Sequence, residues 1–204
     1  MSGSLICVRA AGLYGKLPSR GDFLRIGLPR SFTDPWDAWL QAAITASRVV
    51  IGEDWLGAYM EAAIWSFALG PGICGPDAVI GLWLPSVDRV GRHFPLTLAA
   101  TASPEMAADL TRCGGGFLVA AEAAGLAALE SDLAPEAVAA RLRAAADAPP
   151  TDPDADAVQF DGTGALFWTR GGVRIPSAVL ATDGLPPPAA YAAMLDARYR
   201  IDAS

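Results

Sequence analysis

Hydrophobic residues occur along the chain in two patterns, short continuous runs and stripes at a spacing of three to four residues. The runs Ala78–Leu84 and 94–100 have the length of a strand, and continuous apolar runs are typical of strands that are buried on both faces of a sheet. Further apolar segments predict strands over residues 5–13, 64–69, 165–169 and 178–182.

Helical stripes separate these runs. A helix is predicted to begin near Thr33, because the Asp34 carboxylate can accept hydrogen bonds from free first-turn amides and Pro35 stands where a missing amide costs nothing. One apolar face then follows, formed by Trp36, Trp39, Leu40, Ala43 and Ile44. Further helices are predicted after Asp54, over residues 103–146 with a break at the glycines 114–116, and after the prolines 186–188. The tryptophans fall mostly on apolar stripes, which favours a place in the core.

This alternation of strands and helices predicts an α/β protein with a central sheet and helices on its faces. Residues 85–93 are too few for the crossover that parallel neighbours need. We therefore expect a mixed, partly antiparallel sheet within one domain over residues 1–204.

Composition and charge exclude several classes of protein. The 204 residues are 52% hydrophobic with a mean hydropathy of +0.32, which excludes a disordered chain. No apolar run approaches the roughly 18 residues of a spanning helix, so membrane insertion is not expected. Residues 1–100 carry 8 charges of each sign, whereas residues 101–204 carry 7 basic and 14 acidic residues. The acidic second half argues against nucleic-acid binding.

The three cysteines, Cys7, Cys74 and Cys113, are odd in number and far apart. This spacing fits neither a disulfide framework nor a metal-binding pair and favours reduced, buried thiols. The first residues have no basic region before a long apolar segment, so no signal peptide is predicted. Together these features predict a cytoplasmic protein.

Ser86, Asp88 and His93 lie within eight residues, and His93 is the only histidine. A catalytic triad needs these groups in one line of hydrogen bonds, and its members usually come from separate elements. The chain also lacks the GxSxG turn that carries such a serine. We therefore expect no enzymatic activity and no metal site, and a small hydrolase using Ser86 and His93 is the alternative.

Two polar loops, residues 15–23 and 85–95, follow apolar strands. Residues 15–30 have a net charge of +3 and include Lys16, the only lysine, while residues 85–95 have a net charge of +1. Arginines beside glycines and hydroxyls can bind a carboxylate or a phosphate. Alternatively, the loops are pinned together by ion pairs among Arg20, Asp22, Asp88 and Arg89.

The segments 12–41 and 83–100 resemble the TagF family associated with type VI secretion systems. The residues that carry the resemblance are Gly12, Gly15, Lys16, Pro18, Gly21, Asp22, Phe23, Trp36, Trp39, Leu40, Pro85, Ser86, Asp88, Gly91, Arg92, Phe94, Pro95 and Leu96. Weaker similarity extends it over about residues 12–182, which leaves 183–204 as a C-terminal helix and tail. The chain departs from the family in its alanine-rich, acidic region 101–160, which includes most of the acidic segment 147–161, so the resemblance implies no partner surface there.

The resemblance implies a three-layer α/β/α sandwich. It also implies a cytoplasmic, non-enzymatic accessory protein without a cofactor, which represses type VI secretion post-translationally through a forkhead-associated-domain scaffold. A purely structural subunit of the secretion apparatus is a further alternative. The residues expected to form one polar patch, for docking or for structure, are Lys16, Arg20, Asp22, Ser86, Asp88, Arg89 and Arg92.

Overall fold

A computed structural model describes residues 8–131, 133–148 and 158–199 of the chain. Three parts of the predictions lie outside these residues. They are residues 5–7 of the first strand together with Cys7, residues 149–157 of the acidic segment, and residues 200–204 of the C-terminal tail.

Seven strands form one sheet in the order β2-β1-β5-β4-β3-β6-β7. Their bounds are β1 Val8–Gly15, β2 Leu24–Ile26, β3 Trp65–Leu69, β4 Ala78–Leu84, β5 Leu96–Ala102, β6 Ala165–Thr169 and β7 Ala178–Thr182. The predicted α/β class is confirmed, but the predicted mixed sheet is wrong, because every pairing among the described strands is antiparallel. Short loops join neighbours such as β4 and β5. The helical segments instead join β2 to β3 and β5 to β6, which are not neighbours, so no helix serves as a crossover between adjacent parallel strands.

Six α-helices accompany the sheet in the described residues: α1 Arg30–Ile51, α2 Trp55–Met60, α3 Leu110–Cys113, α4 Gly115–Glu130, α5 Pro135–Asp147 and α6 Tyr191–Leu195. The predicted start of α1 is wrong. The helix begins at Arg30, after an extended Pro29 whose carbonyl accepts from the amide of Thr33 at 3.0 Å. Pro35 therefore lies inside the helix and Asp34 makes no cap. Pro29, with φ −74° and ψ 151°, is the extended residue immediately before the first helical residue.

The core consists of two clusters of buried residues. Consecutive residues of β4 alternate between them: Val79 and Trp83 belong to the cluster that includes α1, α2 and α6, while Ile80 and Leu82 belong to the cluster that includes α4 and α5. This alternation is the pleat of a strand covered on both sides, as its continuous apolar run predicted.

The tryptophans confirm the core interpretation. Five of them are buried, and Trp168 is half-buried; the buried ones are Trp36, Trp39, Trp55, Trp65 and Trp83. The indole of Trp36 donates from α1 to the Thr97 hydroxyl of β5 at 2.9 Å. The cysteines Cys74 and Cys113 are buried free thiols, and burial raises the pKa of Cys74 to about 12.

Within the described part of the chain, no single helix is both long and apolar enough to cross a membrane. The segments Pro104–Cys113 and Gly115–Glu130, bent by 71° to one another, pass that test of length and composition only as a pair.

Candidate functional site

The two polar loops meet at one end of the sheet because they leave neighbouring strands. Residues 16–23 follow β1, residues 85–95 join β4 to β5, and β1 pairs with β5. Gly15 sits at the closest approach with a φ of +128°. A Cβ at this position would lie 2.1 Å from the Pro95 carbonyl oxygen, so only glycine lets the loops come together here.

Asp88 lies at the centre of the contact between the loops. Its Oδ2 accepts from the Lys16 ammonium and from Nε of Arg92, the latter at 2.6 Å. Its Oδ1 accepts from the backbone amides of Val90 at 3.0 Å and Arg92 at 2.8 Å. The side chains of Lys16 and Asp88 are 5% and 0% exposed. We call Lys16, Ser86, Asp88 and Arg92 the Asp88 junction.

The charge of Asp88 is held by these hydrogen bonds. Burial acts to raise the pKa of the carboxyl, but donation from Lys16, from the backbone and side chain of Arg92, and from the Val90 amide lowers it well below its ordinary value. Asp88 is therefore a carboxylate at neutral pH, with a buried cation beside it.

Ser86 is also engaged inside the protein. Its hydroxyl donates to the Lys16 carbonyl at 2.7 Å. The Tyr59 hydroxyl donates to the Ser86 carbonyl at 2.9 Å and accepts from the Ser86 amide at 3.1 Å. Burial raises the pKa of Tyr59 above its ordinary value. Tyr59 was not among the predicted site residues, because it reaches the loop from α2.

The pair expected of a hydrolase is not assembled. The His93 ring packs edge-on against Trp55 and Tyr59, with centroids 6.0 and 5.6 Å away, and burial lowers the pKa of the imidazole. In the described structure His93 makes no hydrogen bond to Ser86, whose hydroxyl donates to Lys16 instead. Over the same residues, no group of three or more His, Cys, Asp or Glu side chains is arranged to hold a metal ion.

Three of the predicted site residues are exposed at the rim of this contact. The Arg20 carbonyl accepts from the Arg89 amide at 3.0 Å, which brings the two residues together through their backbones. The side chains of Arg20, Asp22 and Arg89 make no hydrogen bond or ion pair with any other described residue. The predicted ion pairs among Arg20, Asp22, Asp88 and Arg89 are therefore not formed, and Lys16 and Arg92 neutralise Asp88 instead.

An aromatic group packs beneath the first loop. Phe23 contacts Phe94 with ring centroids 4.6 Å apart and Tyr14 with centroids 5.7 Å apart, and the Lys16 ammonium lies 5.0 Å from the centre of the Phe23 ring. Phe23 is still 47% exposed. Phe23 was predicted only as part of the family motif, because it stands in a polar loop and its contacts come from β1 and from the loop before β5.

A second charged cluster lies elsewhere and was not predicted. Arg174 donates to Asp54 at 2.7 Å, Glu61 at 2.6 Å and Asp196 at 3.0 Å. Arg198 donates to Asp54 and Asp196, each at 2.6 Å. These five residues, the Arg174 network, connect α2 to the β6–β7 loop and to the C-terminal turn. Hydrogen bonds, chiefly from Arg198, lower the pKa of Asp196 although its burial opposes this.

Comparison with known protein families and structures covers the same residues. The model of the TagF N-terminal domain, described as type VI secretion system-associated, matches residues 12–145. The chain belongs to the TagF family. The matched range contains the whole Asp88 junction of this TagF chain. The crystal structure of PA0076 from Pseudomonas aeruginosa PAO1 is similar at a TM-score of 0.79 and 32% identity, over 95% of this chain and 97% of that one. No curated protein matches the TagF chain.

Proposed function

We propose that the chain represses type VI secretion post-translationally by binding a forkhead-associated-domain scaffold protein in the cytoplasm. One observation carries this proposal: the match to the TagF N-terminal domain, a type VI secretion system-associated domain, spans residues 12–145. The repression and the scaffold are the properties that the family resemblance implies for this chain.

The same proposal assigns the chain no enzymatic activity, and the geometry around Ser86 supports this. A nucleophilic serine needs a base within hydrogen-bond reach and an approach for substrate. The Ser86 residue is 3% exposed, and its hydroxyl donates to a backbone carbonyl. His93 faces aromatic rings.

We further propose that the polar patch is the docking site for the scaffold. Its buried part, Lys16 with Ser86 and Asp88, fixes the shape of two loops that come from distant parts of the chain. Its exposed part presents Arg20, Asp22 and Arg89 to solvent. A rigid loop pair with free charged side chains is the arrangement that loses little entropy when it binds a partner.

The experiment has two arms. Overproduction of the chain in a type VI-competent bacterium should lower the amount of a secreted type VI substrate in the culture supernatant without lowering its amount in the cells. The purified chain should retain the purified scaffold in a pull-down. The Arg20→Ala and Arg92→Ala variants should retain less, whereas Arg141→Ala, an exposed arginine on α5, should behave as the wild type.

Unchanged secretion together with no retained scaffold would overturn the proposal. Stoichiometric co-purification with the secretion apparatus, with secretion lost when the chain is removed, would instead support a structural subunit. Undiminished binding by folded Arg20→Ala and Arg92→Ala variants would leave the polar patch with a structural role only.

A further inference from the structure

The exposed residues around the Asp88 junction form one continuous surface. Arg20 and Arg89 are joined by a backbone hydrogen bond of 3.0 Å, and the Arg92 guanidinium donates to the Gly21 carbonyl. Phe23 is 47% exposed and Val90 is 67% exposed, and each follows the charged residues of its loop. We call Arg20, Phe23, Arg89, Val90 and Arg92 the arginine face.

The charge of this face is opposite to that of the rest of the molecule. Arg20, Arg89 and Arg92 give this face +3, which the exposed Asp22 beside Arg20 reduces to +2, whereas the whole chain has a net charge of −7. The guanidiniums of Arg20 and Arg89 have no partner among the described residues. The Arg92 side chain is 62% exposed although its Nε is bound to Asp88. A basic face attracts acidic protein surfaces, whereas the net charge of −7 makes two copies of this chain repel each other at longer range.

The arginine face also contains exposed apolar side chains, which can contact a partner. Phe23 is held in place by Phe94 and Tyr14, and its exposed edge therefore needs little ordering on binding. Strong contacts in protein interfaces combine aromatic anchors with arginines at the centre of the contact. The arginine face has both kinds of residue on loops held by buried hydrogen bonds.

We propose that the arginine face is the contact surface for the scaffold and that its partner surface is an acidic protein segment whose carboxylates flank an apolar residue. This inference rests on the proposed function for the identity of the partner. The carboxylates pair with Arg20 and Arg89, and the apolar residue packs on Phe23 and Val90. Lys16, Ser86 and Asp88 stay buried and act as positioning residues.

The test measures binding of the purified full-length chain to the purified scaffold by calorimetry. Arg20→Glu/Arg89→Glu should weaken binding about tenfold or more, because charge reversal replaces attraction with repulsion. Arg141→Glu/Arg143→Glu, which reverses two exposed arginines on α5, should leave binding unchanged. Wild-type affinity should fall between 50 and 300 mM NaCl, and the fall should be smaller for the Arg20/Arg89 variant.

Val90→Ser tests the apolar part of the contact, and about a threefold loss of affinity is expected from one exposed aliphatic side chain. Its matched control is Val119→Ser on α4, where the valine is 70% exposed. The scaffold should also slow amide hydrogen exchange in residues 18–24 and 88–92 and not in α5.

Different failures have different meanings. Wild-type affinity in the Arg20→Glu/Arg89→Glu variant overturns this inference and the docking site proposed above, and it keeps scaffold binding and repression of secretion. A salt-sensitive dimer of the chain alone that the same variant disrupts also overturns the inference, since a second copy is then the occupant. A scaffold that binds only after phosphorylation overturns the carboxylate chemistry.

If the wild-type chain does not bind the scaffold, the proposed partner is wrong. Repression of secretion in cells then tests whether the arginine face contributes to function. Loss of repression by Arg20→Glu/Arg89→Glu, with the α5 control still active, supports the arginine face. Full repression by the variant overturns it.

Discussion

The Asp88 junction and the Arg174 network both join distant segments through carboxylates and cations, but their surroundings differ. Lys16 and Asp88 have side chains that are 5% and 0% exposed. In the Arg174 network, Asp54 is 45% and Arg198 is 62% exposed. Water therefore screens these two charges more strongly than it screens the buried pair. Arg174 and Asp196, another pair of the network, are 17% and 2% exposed. Similar contact distances therefore have different energetic consequences, and burial decides which cluster the fold depends on.

The two clusters also differ in redundancy. Asp54 and Asp196 each accept from both arginines, so one lost arginine leaves each carboxylate with a partner. Asp88 has a second cation in Arg92, but that side chain is 62% exposed, so Lys16, the only lysine in the chain, is the buried cation beside Asp88. The junction is therefore expected to respond to single substitutions more strongly than the network does.

The largest effect is expected from Lys16→Met. The variant keeps the length of the side chain but leaves Asp88 buried with less compensation, and losing one partner of a buried pair costs about 3 kcal/mol. The Tm should fall by roughly 6–12 °C in a thermal melt. Arg9→Met, which breaks the exposed 2.6 Å pair with Asp77, is the matched control and should change Tm little. Equal losses in the two variants would contradict the contrast.

A smaller loss is expected from Tyr59→Phe. The hydroxyl is the acceptor for the Ser86 amide at 3.1 Å, and a buried donor left unpaired costs about 1–3 kcal/mol. The denaturant midpoint should fall accordingly. Tyr14→Phe removes a half-buried hydroxyl that donates to Asp37 at 2.5 Å, and water can replace it there, so its midpoint should move less. The opposite order would show that the junction does not need this tyrosine.

Acid should weaken both clusters, because the pKa of Asp196 is lowered in the fold as well as that of Asp88. The folded pKa of Asp88 lies below its unfolded value of about 3.9, so its contribution to stability is present above that pH and is lost as pH falls through the folded pKa. Urea midpoints should be steady between pH 7 and 5 and should fall below about pH 4. Asp88→Asn, less stable at neutral pH, should fall less steeply. Asp22→Asn, a change of an exposed carboxylate, should keep the wild-type dependence of the urea midpoint on pH. If Asp88→Asn also keeps it, Asp88 is not a source of the acid sensitivity.

The smallest effect is expected from Arg198→Ala. Asp196 keeps its 3.0 Å contact with Arg174, and the lost guanidinium is mostly exposed. The decrease in Tm should be well below that of Lys16→Met and should shrink further in 0.5 M NaCl, where exposed charges are screened. A decrease as large as that of Lys16→Met would show that exposure is not what distinguishes the clusters.

Strands were predicted from the sequence where they contain a continuous apolar run. The bounds of β4, β6 and β7 agree with the predicted strands. Burial explains the apolar runs of β4 and β6, whereas β7 is an edge strand whose residues alternate between half-buried and exposed. The three-residue β2, Leu24–Ile26, has no such run and was missed. It is specified by its pairing with β1, where Leu13 lies opposite Ile26. The predicted start of α1 was wrong because the sequence has a proline both at position 29 and at position 35, and the helix begins after the first of them.

The site was predicted as a set of residue types and not as a set of contacts. Glycines and prolines around Lys16 and Asp88 indicated loops of fixed shape, and the structure brings these loops together. Which cation meets Asp88 depends on the register between β1 and β5, which lies far beyond local sequence. Tyr59 enters from a helix 27 residues before Ser86, and no local signal connects the two.

The strand order has a consequence for any shortened version of this protein. The TagF match ends at residue 145, but β3 lies between β4 and β6, and β6 begins at Ala165. A fragment that stops at residue 145 would leave the β3 backbone unpaired along one side, with Phe67 stripped of its neighbour Phe167. Open apolar strand edges pair with other chains. We expect such a fragment to aggregate, so expression boundaries should follow the sheet and extend through α6.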